Sequence, residues 1–94
     1  MRGHHIKNRR DLNEKQIFDI LRGHGFQVYP INTPCDAICA YGGFNYLIEV
    51  KNGVKAPLTP PQTKFIATWE GQHQILCTEL EAIEWCAEIR KLAR

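Results

Sequence analysis

Apolar positions change period along the chain, and the changes mark out its elements. Ile17, Phe18 and Leu21 recur at helical spacing in a segment that opens at Asp11 and closes at His24-Gly25, predicting a first helix. Residues 26–29 read as a short strand stopped by Pro30 and the Asn32-Thr33-Pro34 loop. Residues 36–41 and 44–51 read as two strands joined by Gly42-Gly43, a dipeptide suited to a two-residue hairpin turn. A loop over 52–58 leads to Thr59-Pro60-Pro61, which announces a helix with Phe65, Ile66 and Trp69 on one face. Residues 74–77 are a brief apolar strand. Thr78 then caps a helix reaching about Leu92, with Leu80, Ala82, Ile83, Trp85, Cys86 and Ile89 as its apolar positions.

The order is helix, three strands, helix, strand, helix. The hairpin makes strands two and three antiparallel, and strand, helix, strand over 44–77 predicts a right-handed parallel crossover. An α/β fold with a mixed sheet flanked by helices follows. At 94 residues there is room for one core, so residues 11–94 form one domain behind an arm of residues 1–10. Apolar residues at 44% and charged residues at 23% exclude a disordered composition. A chain of this size buries only about 60–65% of its unfolded surface, which favours a homodimer. No stretch is long and apolar enough for a membrane span, and the first residues lack the apolar core of a signal peptide, so a cytoplasmic protein is expected.

Charge is unevenly spread. Arg2, Lys7, Arg9 and Arg10 make the arm strongly basic, while the remainder has eight basic against ten acidic side chains. The arm could bind phosphate or simply be solvated. Cys35, Cys39, Cys77 and Cys86 form no CxxC pair and have no histidine at finger spacing, so they read as reduced, buried thiols.

The chemistry gathers at the end of the third strand. Alternation points Tyr46, Ile48 and Val50 to one face and Leu47, Glu49 and Lys51 to the other. Asp36 opens the neighbouring strand across the hairpin and can approach Glu49. Two carboxylates converging at a sheet edge can hold a divalent cation, and oxygen donors favour magnesium or manganese. A lysine beside them can orient water or offset charge on a phosphate. The plain alternative is a solvated Glu-x-Lys strand end, a pattern that chance gives to about one chain in three of this length. Glu14 and Gln62 fall on the apolar faces of their helices, where a polar group needs a partner. Asp11-x-x-Glu14, Thr59-x-x-Gln62 and Thr78-x-x-Glu81 also fit a capping box, which would satisfy them locally.

Asp36 followed by Glu49-Val50-Lys51, in this order of elements, resembles the PD-(D/E)XK nuclease superfamily with its restriction-endonuclease-like core. Pro34 stands near Asp36 as in that family, with Cys35 intervening. Arg10-Asp11-Leu12-Asn13-Glu14, Leu58-Thr59-Pro60-Pro61-Gln62 and Trp69-x-Gly71 look like the small phage-type VRR-NUC group and related Holliday junction resolvases. The resemblance covers about residues 8–85. It implies magnesium- or manganese-dependent hydrolysis of phosphodiesters in DNA by a dimer, often on branched substrates. It implies metal binding by Asp36, Glu49 and the carbonyl of Val50, and a water-activating Lys51. Glu14 would serve the metal cluster, and Gln62 would orient water or Lys51. Lys7, Arg9, Arg10, Lys55 and Lys64 are the candidate phosphate contacts. No basic helix carries base-reading residues, so structure-selective cutting at junctions or flaps is expected over sequence recognition. The alternatives are a catalytically inactive nuclease-like module that binds DNA or a protein, and a small structural or inhibitor domain with coincidental polar placement.

Overall fold

In a computed structural model, which describes residues 13–53 and 57–93, the first helix, α1, spans Glu14–Gly23. Ile17, Phe18 and Leu21 are its buried positions, as the spacing predicts. The helix begins later than the sequence suggests. Asn13 is its N-cap and Glu14 its first residue, so Glu14 does not take the third position that a capping box requires, and Asp11 lies outside the described residues.

Gly25, at φ +94°, turns the chain out of α1 into β1 (Gln27–Pro30). Pro30 does not stop this strand but ends it within the sheet, paired with Ala37. The position tolerates proline because β1 is an edge strand. β2 (Ala37–Tyr41) and β3 (Phe44–Val50) pair antiparallel through Gly42 and Gly43, at φ +60° and +88°. Two successive positive φ values are what a tight turn matched to the strand twist demands. Asp36 sits one residue before β2 and Lys51 one residue after β3, so both flank the strands instead of belonging to them.

Thr59 caps α2 (Pro60–Thr68) through a complete capping box with Gln62, and proline occupies the first turn. β4 (His73–Leu76) then pairs parallel with β3, and α3 (Glu79–Leu92) follows from its cap Thr78. Glu81 departs from the capping-box expectation: its Oε1 accepts from the N–H of Cys77, 2.7 Å away, and not from that of Thr78. The result is an α/β fold with an open mixed sheet in the order β1-β2-β3-β4.

Strand alternation divides the two faces. Ala37, Cys39, Tyr46, Ile48 and Val50 join Ile17, Leu21, Trp85 and Ile89 in one core, which places α1 and α3 together on that face. Trp85 is its aromatic centre, with the rings of Phe26 at 5.3 Å and Tyr46 at 5.2 Å. α2 lies on the opposite face and buries none of its side chains completely. Leu80 and Ile83, apolar positions of α3, stay 62% and 43% exposed. Cys35, Cys39 and Cys86 are buried and Cys77 half-buried, with no disulfide among them. Among the described residues, no helix is long and apolar enough to cross a membrane.

Candidate active site

Glu49 and Lys51 are the buried charged residues of the described chain, at 5% and 9% exposure. A carboxylate out of water needs compensation, and Glu49 receives it from two sides. Gln62 Nε2 donates to its Oε2 at 2.5 Å, and Lys51 Nζ lies 3.8 Å from the same oxygen. Gln62 is held in turn at its other end, where Oε1 accepts from the Thr59 N–H at 2.8 Å. The cap of α2 and the charge on β3 therefore share one side-chain amide.

Asp36 enters from the neighbouring strand. Its backbone N–H donates to the Ile48 carbonyl at 3.0 Å, extending the β2–β3 ladder by one residue. Its Oδ2 accepts from the Val50 N–H at 2.7 Å. Both carboxylates line a cleft of about 310 Å³, together with Pro34, Thr59, Gln62 and Phe65. Their charge is felt nearby: burial first, then Glu49 and Asp36, push the Cys35 thiol up to about 11.

Lys51 is fixed through its backbone. Its N–H donates to the Leu76 carbonyl at 3.0 Å. Asn13 Nδ2 donates to the Lys51 carbonyl at 3.2 Å and to that of Cys77 at 2.9 Å. The start of α1 thus clasps the ends of β3 and β4. Asn13 carries no functional expectation from the sequence, and no local pattern announces partners 38 and 64 residues away. The sequence puts Asn13 inside the first helix and within the Arg10–Glu14 motif without a role of its own, so its place as the N-cap that reaches across to the strand ends is not announced.

Of the sequence-predicted residues, the structure brings together Asp36, Glu49, Lys51 and Gln62, with Val50 between the two charged positions of β3 and the segment after it. Glu14 is half-buried at the start of α1. Among the described residues no group of three or more His, Cys, Asp or Glu side chains is placed to hold a metal ion, so Glu14 does not make a third with Asp36 and Glu49. Lys64 is exposed on α2. Lys7, Arg9, Arg10 and Lys55 lie outside the described residues.

The donor chemistry fits a hard divalent cation. Asp36 and Glu49 present oxygen atoms alone to one cleft, and magnesium binds through one or two carboxylates while keeping several waters. Comparison of the chain with protein-family models, with curated proteins and with solved structures gives no match in any of the three.

Proposed function

We propose that this chain is a divalent-metal-dependent DNA endonuclease built on a restriction-endonuclease-like core and acting on branched or otherwise structured DNA. The observation that carries the reading is the buried Glu49, clamped by Gln62 and faced by Lys51, in a cleft shared with Asp36. A solvated strand end does not bury two opposite charges and spend a helix cap on one of them.

Asp36, Glu49 and the Val50 carbonyl would hold magnesium or manganese. When bound, such an ion stabilises charge on a phosphodiester and acidifies water. The protein supplies the rest. Gln62 holds the Glu49 carboxylate in one orientation, and Lys51, its backbone pinned by Leu76 and Asn13, keeps its ammonium 3.8 Å from the same carboxylate, where it would orient a water or offset charge on a phosphate. Exposed Leu80 and Ile83 on α3 offer apolar area for a second copy of the chain. A module that binds DNA or a protein without cutting draws support from the two-carboxylate donor set, which is small for a catalytic centre.

The test is incubation of four-way-junction, flap, single-stranded and linear duplex DNA with the protein in magnesium, manganese or EDTA, alongside Lys51→Ala. Metal-dependent cleavage lost in the variant supports the nuclease. Binding without cleavage under either metal supports the inactive module.

A further inference from the structure

The cleft has an aromatic wall. Phe65 lines it beside Asp36, Glu49 and Gln62. One turn further along, Trp69 stacks on Phe65, with ring centroids 5.3 Å apart and planes inclined by 28°. Trp69 remains 42% exposed. Its ring is nonetheless held in place. It lies over Gly71, where a Cβ would come within 2.6 Å of the indole, and its Nε1–H donates to the Gln72 carbonyl at 3.4 Å. This explains the Trp69-x-Gly71 pair in the sequence: the second residue has no side chain because the first one's ring occupies that space.

A large ring that serves only to cover its own sheet would turn its area inward. Here the half-buried Phe65 lines the cleft, and Trp69, stacked on it and restrained, is left 42% exposed. Lys64 and Glu70, the exposed charges on either side of Phe65 and Trp69 in the chain, cancel. The cleft beside them carries the carboxylates of Asp36 and Glu49, so what the two rings add for a ligand is aromatic surface and not positive charge. Nucleobases have a π-face, and stacking on aromatic side chains contributes roughly tenfold or more in affinity per base. Duplex DNA hides those faces between neighbouring pairs.

We propose that Phe65 and Trp69 form a stacking platform for an unpaired base adjoining the phosphodiester in the cleft, which selects single-stranded segments, flaps and branch points over continuous duplex. The proposal rests on the nuclease reading for the role of the cleft, and the platform can be measured without cleavage.

In EDTA, tryptophan fluorescence is followed as a short oligothymidylate or a blunt hairpin duplex is added. Trp85 is in the core at 7% exposure, so quenching reports Trp69. The oligothymidylate quenches and the duplex does not. By anisotropy of a labelled oligothymidylate, Trp69→Ala weakens binding about tenfold or more, and Trp69→Phe largely restores it. Gly71→Ala, which displaces the ring without removing it, weakens binding while circular dichroism and the urea midpoint are kept. Equal quenching by duplex and single strand, or unchanged binding in Trp69→Ala, overturns the platform. Metal-dependent cleavage with no preference for unpaired DNA removes the platform and leaves the nuclease. Quenching with no cleavage under any metal keeps the platform and removes the nuclease.

Discussion

Gln62 serves two partners with one amide, and substitutions around it separate them. Its Oε1 completes the α2 capping box and its Nε2 holds Glu49. Thr59→Ala removes the hydroxyl half of the cap and is expected to cost about 1 kcal/mol in urea unfolding with cleavage nearly intact. Gln62→Ala is expected to lose a similar or larger amount of stability, because a hydrogen bond to a charged group contributes about 1.5–3 kcal/mol, and to slow cleavage at least tenfold. Equal rates in the two variants would make Gln62 a cap and nothing more. Both readings of this residue were open in the sequence, and the structure makes them compatible. Asn13 is the contrasting case. Its Nδ2 satisfies the carbonyls of Lys51 and Cys77, while its Oδ1 is buried with no hydrogen-bond partner among the described residues. Asn13→Ala leaves both carbonyls without that donor and is expected to destabilise by about 1–3 kcal/mol. Chemical denaturation checks this; a change within a few tenths would show the clasp to be idle.

Local periodicity makes most of the elements legible, and what it misses lies where distant segments meet. The hairpin glycines, the Thr59-Pro60-Pro61 start and the Ile17/Phe18/Leu21 stripe each carry their own structural reason within a few residues. The start of α1 does not, because Asn13 is held by the carbonyls of Lys51 and Cys77, just beyond β3 and β4, and not by a local cap. Glu81 misleads for a similar reason: the spacing to Thr78 is right, but its carboxylate reaches one residue further back, to Cys77. For α2 the sequence shows an apolar face and cannot show that the face stays half-exposed. Phe65 and Ile66 are only partly buried, and the helix is anchored mainly through its first turn. Weak burial predicts local opening at low free energy. In hydrogen exchange, amides of residues 65–68 are therefore expected to exchange well before those of β3, whose residues 46–50 are all buried. Protection of α2 equal to that of β3 would contradict this picture. An oligothymidylate that docks on Phe65 and Trp69 is expected to slow exchange in α2 selectively.

The single core under α1 and α3 carries the stability of so small a chain, and its thiols make that stability sensitive to alkaline pH. Burial, and then the neighbouring Cys86, push Cys39 up from 9.0 to about 12; burial pushes Cys86 up to about 11, slightly offset by Arg90. Tyr46, which packs edge-on against Trp85, is shifted up by the same desolvation. Well below pH 9 these groups are neutral in both the folded and unfolded chain, so their burial is fully compatible with folding there. Above pH 9 the unfolded chain releases protons that the folded core retains, and stability falls as pH rises toward the folded values. Each thiol contributes a loss on the order of 1 kcal/mol per pH unit in that window. Other groups also ionise at alkaline pH, so the comparison that isolates the core is between the parent chain and the double variant Cys39→Ala, Cys86→Ala. The variant starts less stable at pH 7.5, because two buried sulfurs leave small cavities. Its unfolding free energy is expected to decline less steeply between pH 9 and 11, so the two curves converge. Parallel curves would mean that the thiols ionise as readily in the folded chain as in the unfolded one, and that the core beneath the cleft admits water.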